Sequence, residues 1–137
     1  MKVVLDTNVL ISGIFFAGPP GRILDAWSDN RVQVAASPEI LEEYCRVVEE
    51  LGRKYPQVQA QPILDVLITT CEICLANPLE EQVCSDPNDD MFLACAIATG
   101  IDTVVSGDKG LLAVSGFRGV QVVKPKAFVD KFLKEGG

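Results

Sequence analysis

Residues 84–90 read Cys-Ser-Asp-Pro-Asn-Asp-Asp and set Asp86, Asn88, Asp89 and Asp90 directly before the apolar run Met91-Phe92-Leu93-Ala94-Cys95-Ala96-Ile97-Ala98. Two chemistries suit this pattern. Asp86, with Pro87 at the first helical position, can start a helix whose dipole favours further acids. Carboxylates beyond what a cap needs repel one another unless a cation is near, and oxygen-only donors suit Mg²⁺ or Mn²⁺. The second reading requires other acids at the same place, and Asp6, Glu43 and Asp108 are the candidates.

Composition narrows the chemistry further. The 137 residues include no histidine, so acid–base or metal chemistry falls to carboxylates and a histidine-based triad is excluded. A net charge of −7 argues against a basic face that grips nucleic acid nonspecifically. A divalent cation bound in an acidic pocket would still neutralise it locally for a phosphate substrate. The five cysteines (45, 71, 74, 84 and 95) are odd in number, and Val3-Val4-Leu5 stops at Asp6, too short a run for an export signal. Reduced thiols and a cytoplasmic location are expected. Cys71-x-x-Cys74 resembles half of a zinc site but lacks a second pair, so buried structural thiols are the reading. No apolar stretch approaches the ~20 residues of a membrane span. The length implies a single domain, 1–137, burying roughly two-thirds of its unfolded surface.

The elements that must position these acids alternate between strand and helix. Lys2-Val3-Val4-Leu5 reads as a buried strand ending at Asp6, followed by a helix from Thr7 or Asn8 through Ile14 that Gly18-Pro19-Pro20-Gly21 breaks. A second helix is expected from about Pro20 to Asp29, with Ile23, Leu24, Ala26 and Trp27 inward, and a strand over Val32–Ala36. Ser37-Pro38-Glu39 is a helix start, with a serine cap, proline at the first position and an acid in the first turn. That helix should reach about Tyr55, with Gly52 a weak point. Another follows Pro62, carrying Ile63, Leu64, Val66, Leu67 and Ile68. After a connecting segment over 72–85, with room for a short strand, come the helix of the acidic stretch, a strand Thr103–Ser106, a turn and short helix from Gly107, a strand Val120–Val123 and a helix from Pro125. This alternation implies an α/β fold with a parallel sheet covered on both faces.

In such a sheet, ligands bind beyond the carboxyl ends of the strands, where both Asp6 and Asp108 fall. On the helix after Ser37, residues Ile40, Tyr44, Val47, Val48 and Leu51 form one apolar stripe, and Glu43 lies about 90° from its centre. Glu42 lies nearly opposite, and Glu39 and Glu49 face away. Glu43 is therefore the acid placed to lean over the sheet edge. Asp90 is expected to be the inward-facing member of the acidic stretch, with Asp86 and Asp89 capping or supporting it.

Together these segments resemble the PIN domain family. "VVLDTNVLISG" resembles its first-strand motif, with the catalytic aspartate at Asp6 and Thr7-Asn8 beside it. "SPEILEEY" resembles the second motif, placing its glutamate on Glu43. "DPNDDMFLACAIATG" resembles the third, with the metal-binding aspartate at Asp90, and "VVSGDKGLL" the fourth, with the acid at Asp108. Ser106 stands where threonine is usual and keeps the hydroxyl. Ser37, Asp86, Asp89 and Ser106 join Thr7 and Asn8 as supporting residues, and Lys109 is a candidate phosphate contact.

The resemblance implies a three-layer α/β/α sandwich around a five-stranded parallel sheet. It implies Mg²⁺- or Mn²⁺-dependent ribonuclease activity on RNA phosphodiester bonds. Among PIN domains the sequence looks most like the toxins of toxin–antitoxin pairs similar to VapC, which implies a homodimer and a cognate antitoxin. An inactive PIN-like binding or scaffold module is the alternative. A phosphatase of the haloacid-dehalogenase type would need a second aspartate where Asn8 stands, and a receiver domain would carry its acid pair near the N-terminus.

Overall fold

A computed structural model describes residues 1–133. The chain forms β1 (Lys2–Leu5), α1 (Thr7–Phe15), α2 (Gly18–Ser28), β2 (Gln33–Ala36), α3 (Pro38–Lys54), α4 (Ala60–Thr70), β3 (Glu72–Ile73) and α5 (Asp90–Thr99). It continues through β4 (Thr103–Val105), α6 (Lys109–Ala113), β5 (Gln121–Val123) and α7 (Pro125–Phe128), which runs on as a wider helical turn over Val129–Leu133. The strands form one sheet in the order β3-β2-β1-β4-β5. Every pairing is parallel, with Val3 opposite Val34, Leu5 opposite Val105 and Val104 opposite Val122. Parallel neighbours need crossover connections, and helices supply them here.

Successive strand residues point to opposite faces of a sheet. Val3, Val4 and Leu5 are nevertheless all fully buried, as are Ala35 and Ala36. Both faces of the central strands are therefore covered, which is the sandwich expected. Tyr44, Phe92, Phe128, Leu10 and Ile23 supply the bulk of its filling.

Local boundaries depart from the sequence reading where proline is concerned. Pro19 and Pro20 lie inside the first turn of α2, and Pro62 inside that of α4. The first helical turn has N–H groups without intrahelical partners, so proline loses nothing there. The corner between α1 and α2 is made instead by Ala17 and Gly18, with φ of 68° and 75°. Gly13 lets these helices touch: a Cβ there would lie 2.7 Å from Leu24 Cδ1 and 2.8 Å from the Pro20 carbonyl. On α4, Leu64 and Leu67 are buried, while Val66 is 51% exposed.

The strand order fixes where a ligand can enter. From β1 the chain crosses toward β2, and from β4 it crosses toward β5. The two connections leave adjacent strands in opposite directions and open a crevice beyond their carboxyl ends.

Candidate active site

Asp6 closes β1 at that crevice. Its backbone N–H donates to the Val105 carbonyl at 3.0 Å, and its side chain is buried. The Ser106 hydroxyl donates to Asp6 Oδ2 at 2.7 Å and accepts from the Asp108 N–H at 2.9 Å. A hydroxyl has one proton to give, so this relay holds the ends of β1 and β4 together and aims Ser106 at Asp6. Asp108 caps α6, its Oδ2 accepting from the Leu111 N–H at 3.0 Å.

Glu43 reaches the crevice from α3. The buried Thr7 hydroxyl donates to Glu43 Oε2, and the neighbouring Tyr44 hydroxyl donates to the Leu5 carbonyl at the end of β1. Ser37 Oγ caps the helix by accepting from the Ile40 N–H at 3.3 Å. On the other side of Glu43, Arg46 Nη2 lies 3.5 Å from Oε1. Glu39, Glu42 and Glu49 are exposed.

The acidic stretch behaves differently from its sequence reading. Asp86 caps a short 3₁₀ turn, Pro87–Asp89, by accepting from the Asn88 N–H at 2.9 Å. Asp90 does not turn toward Asp6 and Asp108. Its two oxygens accept from the N–H groups of Val83 (3.0 Å) and Cys84 (2.7 Å), tying down the connector that precedes it. Burial pushes the Asp90 carboxyl up, but those two amides and the Cys84 thiol outweigh it and hold it below its ordinary value.

Asp89 is the member that joins the other acids. Its carboxyl is raised to about 7, first by burial and then by the charges of Asp108, Asp6 and Asp86 and a hydrogen bond with Asp108. Asp6 is also raised, mainly by burial; Ser106 and the Asn8 amide pull it back down, while Asp108 and Glu43 push it up. A sequence signal for Asp89 exists: it stands three, four and seven residues before Phe92, Leu93 and Ala96, which are buried, and that spacing marks one helix face.

Gly110 brings the acidic turn close to α6. A Cβ at this position would lie 2.7 Å from Ser85 Oγ and 3.0 Å from Asp108 Oδ2. Asn8 and Lys109 are exposed at the rim. Beside Glu43 a cavity of about 350 Å³ is lined by Glu39, Glu42, Arg46, Asn88 and Met91.

The donor set suits a hard divalent cation. Asp6, Glu43, Asp89 and Asp108 offer only oxygen, and burial first, with like charges among them adding to it, raises Asp6 and Asp89. Among the described residues no cation pairs with Asp6, Asp89 or Asp108. Their side chains stand near one another without closing on a point: among the described residues, no three acids or thiols are grouped tightly enough to hold an ion between them. Direct convergence of Asp6, Glu43, Asp90 and Asp108 on one ion is therefore not the arrangement seen.

The fold and this edge define a class. A model of the PIN domain matches residues 2–110, and the chain belongs to the PIN domain family. PIN domains are generally nucleases, and those nucleases generally use divalent metal ions. Among individual proteins, the chain is 30% identical over 146 aligned positions to the uncharacterized protein MJ1680 of Methanocaldococcus jannaschii, covering 98% of this chain and 93% of that protein. Its fold is similar to the crystal structure of PAE2754 from Pyrobaculum aerophilum, with a TM-score of 0.63 at 14% identity over 98% of this chain and 100% of that one. It is also similar to a chain in the crystal structure of VapBC2 from Rickettsia felis bound to a DNA fragment from their promoter. That match has a TM-score of 0.60 at 18% identity over 90% of this chain and 98% of that one. Among the described residues no helix is long and apolar enough to cross a membrane.

Proposed function

We propose that this PIN domain is a Mg²⁺- or Mn²⁺-dependent ribonuclease that hydrolyses RNA phosphodiester bonds, and that it serves as the toxin of a toxin–antitoxin pair. The observation that carries the chemistry is the set of mutually repelling carboxylates at the ends of β1 and β4. Burying like charges is unfavourable unless a cation joins them. Asp6, Glu43, Asp89 and Asp108 would hold it. A divalent ion bound there supplies an activated water and stabilises charge on the attacking and leaving oxygens.

The protein's own groups prepare that site. Ser106 fixes one oxygen of Asp6, Thr7 fixes one oxygen of Glu43, and Asp90 sets the path of the connector. With a chain charge of −7, an RNA phosphate has little else to attract it, so substrate binding should depend on the ion. The toxin role is supported by the fold likeness to VapBC2, a complex bound to promoter DNA. A homodimer and a cognate antitoxin, both implied by the likeness to VapC toxins, complete the proposal.

The absence of a tight ligand group among the described residues favours a second reading, a PIN-like binding or scaffold module. Calorimetric titration with Mn²⁺, followed by cleavage of a single-stranded RNA, separates the two. Saturable ion binding and ion-dependent cutting, both lost in Asp6→Asn, support the nuclease. Cutting that persists in Asp6→Asn, or no heat and no cutting in the unaltered protein, refutes it.

A further inference from the structure

The thiols away from the acidic crevice are unevenly placed. Cys45 is exposed on α3, and Cys84 is buried against Asp90. Cys74 and Cys95, 21 residues apart, bring their sulfurs to 3.0 Å. Cys74 leaves the sheet at its edge, its N–H donating to the Ala36 carbonyl at 3.0 Å and so prolonging the β2–β3 pairing. Cys95 lies in the middle of α5 and is fully buried. Cys71, at the end of α4, instead points its thiol at the Ile68 carbonyl. Among the described residues no three such ligands are placed to share a metal, which leaves a two-sulfur arrangement.

We propose that Cys74 and Cys95 are a disulfide-forming pair, a covalent modification site that staples the sheet edge to α5. A disulfide needs sulfurs about 2.05 Å apart, so the pair must close by about 1 Å. The element that has to move is suited to it. β3 has two residues, pairs with β2 on one side only, and exposes Ile73 and the following Leu75.

The chemistry is thiol–disulfide exchange with a low-molecular-weight disulfide as oxidant. The partly exposed Cys74, as its thiolate, attacks one sulfur of the oxidant and releases one equivalent of small thiol. Cys95 then gives up its proton and attacks the Cys74 sulfur of that mixed disulfide, releasing the second. Two protein thiols are oxidised and one small disulfide is reduced to two thiols. Burial pushes the Cys95 thiol up, and the adjacent Cys74 adds to this, while the Ser37 amide favours its thiolate. An outside oxidant therefore reaches Cys74 first, and Cys95 acts as the resolving thiol.

The ring so closed contains the whole irregular connector 75–86 together with Asp89 and Asp90. Its closure restricts the unfolded chain through a segment that has little regular structure to hold it when folded. The inference is independent of the nuclease reading.

The test uses the full chain in a Cys45→Ser background, treated with oxidised glutathione and then alkylated, digested and weighed. The expected product has lost two alkylatable thiols and yields a peptide joining Cys74 to Cys95. It melts roughly 5–10 °C higher than the reduced form, and dithiothreitol abolishes the difference. Because Cys95 is wholly buried, the control variant is Cys45→Ser with Cys74→Ser, which should show neither link nor shift. A stable glutathione adduct on Cys74, a Cys71–Cys74 link, or equal melting of oxidised and reduced protein would overturn the proposal.

Discussion

At the carboxyl ends of β1 and β4 acids are held by hydroxyls and backbone amides, and beside Glu43 on α3 lies a modest cavity of about 350 Å³. At the amino ends of β2 and β3 a larger one, about 570 Å³, lies among Trp27, Val32, Ile63, Val66 and Thr70. The larger has the space and the apolar walls of a ligand pocket, while the smaller has fixed charge. The larger volume lies between α2, α4 and the starts of β2 and β3. Chemistry is recorded by directed hydrogen bonds that keep like charges together, and by strand order, which opens a crevice at one end of the sheet only.

The sharpest way to break that contrast is at Asp6. Asp6→Asn should lower ion-dependent RNA cleavage roughly a hundredfold or more while leaving melting unchanged or higher, since one of several repelling charges is gone. Cleavage assays beside thermal melts decide it. Next come the adjacent aspartates, which should part ways. Asp89→Asn is expected to cost roughly tenfold or more in cleavage with no loss of apo stability. Asp90→Asn should cost about 1–3 kcal/mol in urea unfolding, because the amides of Val83 and Cys84 lose a charged acceptor. If Asp90→Asn left stability intact and Asp89→Asn unfolded the protein, the roles assigned to them would be reversed.

A smaller effect concerns pH. Asp89 binds its proton more tightly folded, at about 7, than at its ordinary 3.8. The native state therefore holds more protons than the unfolded state between roughly pH 4 and 7, and metal-free stability should fall as pH rises through that window. Asp89→Asn should flatten the slope in melting curves taken from pH 4 to 8, and saturating Mn²⁺ should reverse it. The smallest effect is at the other end of the sheet. Val66→Ala, in the larger cavity but half exposed, should leave cleavage unchanged and stability within about 0.5 kcal/mol. A clear loss of cutting there would move the functional site.

Much of this edge is legible in the sequence. Asp6 and Asp108 stand about a hundred residues apart, yet both follow buried apolar strands, and parallel pairing sends both strand ends to one side. Ser37-Pro38 announced α3 correctly, and the angular position of Glu43 follows from the stripe through Ile40 and Tyr44. What escaped was a matter of one residue. A step from Asp89 to Asp90 turns a side chain by about 100° on a helix, and the 3₁₀ turn at Pro87–Asp89 shifts the phase where the choice had to be made. The bonds from Val83 and Cys84 to Asp90 were likewise hidden, since nothing in the connector's composition says where its amides point. Pro62 misled because proline stops a helix in its interior but not in its first turn.

Gly110 carries a consequence for any redesign of this edge. Its missing methyl group is the clearance that the Ser85 hydroxyl and the Asp108 carboxylate share, 2.7 Å and 3.0 Å from where a Cβ would stand. An alanine in its place would have to turn the exposed Ser85 hydroxyl aside and shift the Asp108 carboxylate that accepts from the Leu111 N–H. The acid that caps α6 would then be re-aimed while every strand pairing beneath it stayed as it was.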